Sequence, residues 1–258
     1  MAYKHHNVSV IIPVHNEGPS IGRVVMGLRQ LSCPLTGDAL VDDIIVCNNA
    51  STDDSVVQAV AAGAHVFDER KLGYGAACLK GISQLKRNPE SKPNLVAFVD
   101  GDYSVKSSEL PLLLDKLIEG YDLVVGNRVA DLQERSALSV HQRFGNYLAS
   151  TLIRLIWRQS VNDLGPFRAI HYSALTKLDM QDQRFGWTVE MQVKAIQAKM
   201  RYCEVPVSTM KRIGVSKISG TVKGTIGAAT GIFGKIFNLY MQESVFLDSL
   251  KKPKSLPK

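Results

Sequence analysis

The sequence has few cysteines, few aromatic residues and no long apolar run. Its four cysteines show no C-x-x-C spacing, which fits a reducing compartment. No stretch of about 18 uncharged apolar residues occurs, so no membrane-spanning helix is predicted. Residues 1–7 lack the apolar core of a signal peptide. These absences favour a cytoplasmic protein, with peripheral contact to the inner face of the membrane left open.

The net charge of +7 is spread along the chain, apart from a basic tail at 251–258. Such a charge is compatible with nucleic acid, anionic lipid or a phosphorylated substrate. No nucleic-acid motif occurs and the aromatic residues do not interleave with the basic ones, so no nucleic-acid partner is expected. With 45% hydrophobic and 21% charged residues in 258, a packed globular core is predicted.

The most informative motif is Asp100-Gly101-Asp102, which follows the apolar run 95–99. Alternate side chains of a strand share a face, so the two carboxylates can converge where this strand ends. Hard oxygen ligands suit Mg²⁺ or Mn²⁺, and such ions keep positions for water or substrate phosphates. The pair therefore predicts a metal that holds a diphosphate, although Asp-Gly is also ordinary turn chemistry.

Apolar strand patterns alternate with helical periodicities through the first half of the chain, which predicts an α/β fold with a parallel sheet and right-handed crossovers. Ligands of such sheets bind beyond the carboxyl ends of the strands. The loops that begin at Asn16, Asn48, Gly73, Asp100 and Asn127 are therefore expected to line one crevice. Residues 203–207 predict an edge strand, because proline 206 cannot donate to a ladder.

Several motifs now coincide in order: IPVHNE at 12–17, IVCNNASTD at 45–53, LGYGAA at 72–77, the Asp-Gly-Asp motif, and VGNR at 125–128. The second half adds DLGPFR at 163–168, EVPV at 204–207 and RIGVSK at 212–217. Together they resemble family 2 glycosyltransferases of the GT-A fold, in the branch of the dolichyl- and polyprenyl-phosphate mannose or glucose synthases. The resemblance covers about residues 8–220.

The resemblance implies a Rossmann-like, mostly parallel sheet flanked by helices. It also implies inverting transfer of a hexose from a nucleotide-diphosphate sugar to polyprenyl or dolichyl phosphate. It divides the chain into a GT-A domain at 1–218, with a nucleotide-sugar half at about 8–128 and an acceptor half at 129–218. A C-terminal amphipathic helix at 219–250 and the basic tail at 251–258 would follow.

The resemblance also assigns roles to residues. Asp100 and Asp102 would hold Mg²⁺ or Mn²⁺, which acts as a Lewis acid on the leaving group. Residues expected to take part in catalysis are Asp102, Asp163, Arg128 and Arg212. Residues expected to bind the donor or the acceptor phosphate are Pro13, His15, Asn16, Glu17, Asn48, Gly73, Asp100, Gly101, Arg143, Ser216 and Lys217.

Three points stay open at this stage. Asn48 stands where the family usually has an Asp that contacts the nucleobase. The base of the donor, uracil or guanine, is therefore left open, with a UDP-sugar favoured. A phosphate acceptor is already ionised, whereas a soluble hydroxyl acceptor needs a base, for which Asp163 and Glu190 are available. A non-catalytic sugar-nucleotide-binding module is the alternative of a different class.

The segment after residue 219 has glycines at 220, 224, 227, 231 and 234, the spacing of one helix face. Lysines 223 and 235 interrupt it, so it cannot span a bilayer. We expect a helix that lies on the membrane or forms a homodimer beside the acceptor's lipid. The alternative is a helix docked on the body of the protein.

Overall fold

The computed structural model describes residues 6–33, 37–85, 92–130, 140–214 and 222–251. Its centre is a seven-stranded sheet in the order β3-β2-β1-β4-β6-β5-β7. Within these residues, β6 alone runs antiparallel to its neighbours. The strands are β1 (Val8–Val14), β2 (Asp43–Asn48), β3 (His65–Asp68), β4 (Leu95–Phe98), β5 (Leu123–Asn127), β6 (Arg168–His171) and β7 (Tyr202–Pro206).

Helices cover both faces of this sheet. They are α1 (Gly18–Arg29), α2 (Ser55–Ala61), α3 (Tyr74–Leu85), α4 (Leu110–Ile118), α5 (Val140–Trp157), α6 (Tyr172–Leu178), α7 (Trp187–Gln197) and α8 (Val222–Lys251). The predicted mostly parallel sheet flanked by helices is confirmed, and β7 is an edge strand as predicted. The short helix α6 was not predicted.

The core follows from the apolar strands, whose successive side chains point to opposite faces. In β1, Val10 and Ile12 pack into the cluster formed with α1 and α4. Ile11 packs on the other side, in the cluster formed with α3 and α7, which includes the fully buried Trp187. All of β1 is buried, as expected for a strand of a sheet covered on both faces.

The reversed direction of β6 brings a further loop to the carboxyl edge of the sheet. Arg168, the first residue of β6, pairs with Phe98 near the end of β4 and with Val125 in β5. The loop before β6, which contains Asp163, therefore enters at the same edge where β1, β2, β4 and β5 end. We call the space beyond this edge the crevice.

The C-terminal helix docks on the body of the protein. Ile236 and Leu239 of α8 are buried against α5 and α7, in a cluster with Ile153 and Val193. Glu243 accepts hydrogen bonds from the side chains of two residues on those helices, Trp157 and Gln197. No helix in the described segments is both long and apolar enough to cross a bilayer. The domain boundary predicted at 218 lies outside the described residues and stays a prediction.

Candidate active site

Two acidic side chains lie at the mouth of the crevice, directly after β4. Asp102 is only 3% exposed, and its Oδ1 accepts a hydrogen bond from the backbone N–H of Ser104 at 2.9 Å. The Tyr74 hydroxyl donates to Asp100 Oδ1 at 3.1 Å. The Arg212 guanidinium forms an ion pair with Asp102 Oδ2. The structure therefore brings Arg212, a predicted catalytic residue, into contact with the Asp-Gly-Asp motif, and its role in catalysis stays a prediction.

The electrostatics of this pair fit a divalent cation. Burial, and next the charge of Asp102, raise the pKa of Asp100 to about 7, although Arg212 and Tyr74 act in the opposite direction. The described residues contain no cluster of three or more His, Cys, Asp or Glu side chains that could enclose a metal. Two carboxylates are sufficient for Mg²⁺, which commonly binds one or two of them together with substrate phosphates.

The raised pKa predicts that Mn²⁺ binding to the protein depends on pH. Because the ion requires the ionised form of Asp100, binding below pH 7 must displace a proton, and the apparent affinity should fall about tenfold per pH unit. Above pH 7 the affinity should be constant. Isothermal titration with Mn²⁺ alone, in two buffers of different ionisation enthalpy, measures both the affinity and the proton release. An affinity that stays the same from pH 5.5 to 8 would contradict this assignment.

Hydrogen bonds join the loops after β1 and β2 to each other. Asn16 donates its backbone N–H to Ser51 Oγ at 3.0 Å and accepts from the Thr52 N–H at 2.7 Å. His15 Nδ1 lies 2.6 Å from the carbonyl oxygen of Asn49. The two loops therefore form one rigid rim of the crevice.

Three more predicted donor residues, Glu17, Gly101 and Pro13, are held by packing or by hydrogen bonds within the protein. The buried Glu17 donates its backbone N–H to Ser55 Oγ at 2.8 Å. A Cβ on Gly101 would approach Val14 Cγ2 to 2.9 Å, so packing alone accounts for that glycine. Pro13 is buried inside β1. Contacts of these residues with a donor stay predictions.

Three of the six non-glycine residues with positive φ in the described segments lie in loops around the crevice. Asn16, Ala50 and Tyr103 all have positive φ angles, of 54°, 54° and 66°. They follow β1, β2 and β4 respectively. Non-glycine residues in this conformation cost free energy and cluster at functional sites. The other non-glycine residues with positive φ in the described segments, Arg158, Asp179 and Lys199, follow helices. The strain therefore agrees with the crevice as the site but does not identify it by itself.

Asn49, which sequence reasoning passed over, holds the glycine loop after β3. Its amide group donates to the carbonyl oxygens of Glu69 and Lys71 and accepts from the N–H of Gly73 at 2.8 Å. A Cβ on Gly73 would meet the Gln183 carbonyl oxygen at 2.1 Å, and its φ of +151° also requires glycine. The structure thus explains Gly73 by close backbone packing, and its donor contact stays a prediction.

Arg128 and Asp163 form a buried ion pair where β5 ends. Nε and Nη2 of Arg128 bind the two carboxylate oxygens of Asp163 at 2.9 and 2.8 Å, and the Arg128 backbone N–H adds a bond of 2.8 Å. Asp163 is fully buried. Burial raises the pKa of Asp163, but Arg128 outweighs this and holds the pKa below its ordinary value. Both residues were predicted site residues, but their pairing was not predicted.

Glu204 of β7 binds the residues that precede Arg128 and Asp163 in the chain. It was not predicted as a site residue. Its carboxylate accepts from Asn127 Nδ2 at 2.7 Å and from the Asn162 backbone N–H at 2.8 Å. The Tyr202 hydroxyl also donates to it at 2.7 Å. Glu204 therefore joins the end of β5 to the loop that carries Asp163. The sequence signal that could have identified it is the single charged residue in the otherwise apolar EVPV motif.

A groove of about 760 Å³ extends from the end of β5 along α5. Arg143, predicted as a phosphate-binding residue, lines it together with Arg154. Its other lining residues are Asn127, Val129, Ala130, Val140, Phe144, Asn146, Tyr147, Ser150 and Asn162. Ser216 and Lys217, also predicted, lie outside the described residues.

The model of the family described as "Glycosyl transferase family 2" matches residues 9–179, two thirds of the chain. The chain belongs to glycosyl transferase family 2. An uncharacterised glycosyltransferase of Mycobacterium tuberculosis is 34% identical over 224 residues, covering 85% of this chain and 93% of the relative. The polyprenol monophosphomannose synthase of Mycolicibacterium smegmatis is 28% identical over 218 residues, covering 82% and 81%.

Similarity to solved structures confirms the GT-A fold. The crystal structure of glucosyl-3-phosphoglycerate synthase from M. tuberculosis, in complex with Mn²⁺, UDP and glucosyl-3-phosphoglycerate, superposes with a TM-score of 0.72. The match covers 93% of this chain and 81% of that one at 19% identity, which supports the fold alone. By its family match the protein is a glycosyltransferase, and it has the predicted GT-A fold.

Glu190 of this family 2 enzyme is engaged in structural contacts. Its Oε2 accepts from the backbone N–H groups of Gln181 and Asp182 at 3.0 and 2.7 Å. Lys194 lies 3.1 Å from Oε1, and Lys235 of α8 binds Asp182 at 2.9 Å. Glu190 is 2% exposed and fixes the loop that packs on Gly73. These contacts do not favour Glu190 as a general base.

Proposed function

We propose that this enzyme transfers a hexose from a nucleotide-diphosphate sugar, with UDP-sugar favoured, to polyprenyl phosphate. The observation that carries the proposal concerns the acceptor. Asp163 and Glu190, the carboxylates considered as bases, are both buried and bound to cations and backbone N–H groups. An acceptor that arrives already ionised, such as a phosphate monoester, needs no protein base. The similarity to a polyprenol monophosphomannose synthase supports the same acceptor class.

Asp100 and Asp102 would hold Mg²⁺ or Mn²⁺, which when bound stabilises the negative charge on the departing nucleoside diphosphate. Arg128 uses Nε and Nη2 to bind Asp163, which fixes the guanidinium and directs its Nη1 away from that carboxylate. Arg212 compensates the charge of Asp102 in the structure described here. We infer that both arginines bind phosphate oxygens, because a guanidinium matches their geometry.

The groove along α5 suits an acceptor that is charged at one end and apolar at the other. Arg143 and Arg154 supply cationic groups, while Val140, Phe144 and Tyr147 supply apolar surface. These three apolar residues are 66%, 66% and 62% exposed. We assign the phosphate of the acceptor to the arginines and its isoprenoid chain to the apolar residues.

The outer faces of α5 and α8 support peripheral contact with a membrane. Besides the groove residues, Leu155 of α5 is 72% exposed, and Phe237 of α8 is 65% exposed. Tyr240 and Met241 extend this apolar surface along α8. A surface of this kind, with neighbouring arginines, would lie in the headgroup region of a bilayer. A homodimer formed through the same helices stays the alternative, and sedimentation velocity with and without lipid separates the two.

The decisive experiment for the proposal is a panel of donors and acceptors. The protein is incubated with Mn²⁺ and radiolabelled UDP- or GDP-hexoses, together with a polyprenyl phosphate in detergent or with soluble phosphorylated acceptors. We expect label in the organic phase with polyprenyl phosphate, and greater transfer from UDP-hexoses. Loss of this product on addition of EDTA is expected as well. Donor binding without any transfer would instead favour a non-catalytic binding module.

A soluble hydroxyl acceptor is the second candidate, and a specific observation favours it. Four polar side chains, from Asn127, Asn146, Ser150 and Asn162, line the groove beside the arginines. The structural neighbour in complex with glucosyl-3-phosphoglycerate has the same fold. Transfer to 3-phosphoglycerate or a similar acid, with none to polyprenyl phosphate, would establish this candidate and reject the lipid acceptor.

A further inference from the structure

We propose that Asp68, which no motif singled out, recognises the nucleobase of the donor by accepting a hydrogen bond from a ring N–H. The inference rests on the proposed use of a nucleotide-diphosphate sugar. Asp68 is the last residue of β3 and lies beside Asn48, the last residue of the parallel strand β2. Its side chain is exposed at the edge of the crevice.

The contacts of Asn48 explain why the hydrogen-bond acceptor for the nucleobase is at position 68 and not at position 48. Asn48 Oδ1 accepts from the backbone N–H of Ser51 at 3.1 Å, so this oxygen is engaged within its own loop. Asn48 Nδ2 donates to Asp68 Oδ1 at 2.8 Å. Asn48 is only 8% exposed, so its amide contacts the Asp68 carboxylate from the protein interior. It positions the neighbouring carboxylate, whose Oδ2 can accept from a ligand.

The position of Asp68 matches the length of a nucleotide. The sheet order β3-β2-β1-β4 separates Asp68 from the acidic pair after β4 by three strand spacings. At about 4.8 Å each, these spacings amount to roughly 14 Å. An extended nucleoside diphosphate is of comparable length. A diphosphate beside Asp100 and Asp102 therefore places its base close to the ends of β2 and β3.

A carboxylate acceptor selects among bases by simple chemistry. Uracil and guanine each carry a ring N–H that can donate to Asp68, whereas cytosine and adenine have an unprotonated ring nitrogen at the corresponding edge. That lone pair would face the carboxylate without a hydrogen and with unfavourable electrostatics. The site should therefore favour UDP and GDP over CDP and ADP.

The test measures nucleotide binding by isothermal titration in saturating Mn²⁺. We expect Asp68→Ala to weaken UDP binding about 10- to 100-fold, the effect of losing a hydrogen bond to a charged group. CDP, which binds weakly to the wild type, should bind the variant more tightly than it binds the wild type, because the repulsion from the carboxylate is removed. The matched control is Asp43→Asn, because Asp43 pairs with His65 on the same two strands at their opposite ends.

Two further measurements make the outcome unambiguous. The reciprocal variant Asn48→Asp/Asp68→Asn returns a carboxylate to the neighbouring strand and should recover at least part of the UDP affinity. UDP methylated at the ring N–H should bind the wild type weakly and should lose no further affinity in Asp68→Ala. If Asp68→Ala bound UDP as tightly as the wild type does, the role of Asp68 would be rejected while the proposed function would stand. Failure of the wild type to bind any nucleoside diphosphate would instead reject the proposed function.

Discussion

Asp102→Asn is expected to reduce glycosyl transfer at least about 1,000-fold while leaving the fold intact. A bound divalent ion contributes several kcal/mol to stabilising a departing phosphate, and each 1.4 kcal/mol is a factor of ten in rate. Asparagine retains the size of the side chain and can still accept the bond from the Ser104 N–H. It removes the negative charge that a metal ion requires.

The measurement combines initial rates of transfer with the thermal unfolding midpoint. Arg212, the present partner of Asp102, is partly exposed and can be solvated when the pair is lost. A small change in midpoint is therefore expected. Asp42→Asn is the control, since Asp42 binds the N–H of Val8 at the opposite edge of the sheet. Full activity of Asp102→Asn would disprove the metal assignment.

Breaking the Arg128–Asp163 pair should have the largest effect on stability. Asp163→Ala leaves the paired guanidinium and the Arg128 backbone N–H without their acceptor in a buried site. We expect a loss of about 3–5 kcal/mol in the free energy of unfolding, measured by urea denaturation. Glu119→Ala, which breaks the exposed Lys116–Glu119 pair, should leave the free energy of unfolding almost unchanged, because solvent screens such a pair.

A double variant separates the structural role of this pair from its role in catalysis. Arg128→Met/Asp163→Asn removes both charges, retains similar volumes and keeps an acceptor for the Arg128 backbone N–H. It should recover at least half of the lost stability, because no buried charge is left unpaired. Transfer activity should remain lost if Arg128 binds phosphate. Recovery of activity together with stability would show that the pair is structural only.

Much of the fold could be predicted from the sequence, because the central parallel strands β1, β2, β4 and β5 are built on largely apolar segments followed by a loop signal. Val8–Val14, with five valine or isoleucine residues out of seven, is such a segment. The direction of β6 could not be predicted, because the apolar centre of Arg168–His171 is compatible with either orientation. That reversal is a tertiary property, yet it determines that Asp163 reaches the crevice.

The site was predictable where a side chain follows a strand directly, as Asp100 and Asp102 do. It was not predictable where a role depends on a neighbour distant in sequence. Asn48 could be recognised as unusual, but only the pairing of β2 with β3 shows that it contacts Asp68. Glu204 likewise lies 77 residues from Asn127, its partner on the adjacent strand.

The ion pair between Lys235 and Asp182 has a consequence for what constitutes the catalytic unit. Asp182 belongs to the loop whose backbone packs on Gly73 and Gly75, and Lys235 belongs to the last helix. The glycine loop beside the crevice is therefore braced by a helix that begins 43 residues after the family match ends at residue 179. The packing of the glycine loop thus includes a contact from well beyond the family match, and a chain truncated before Lys235 would leave the Asp182 carboxylate without this cation.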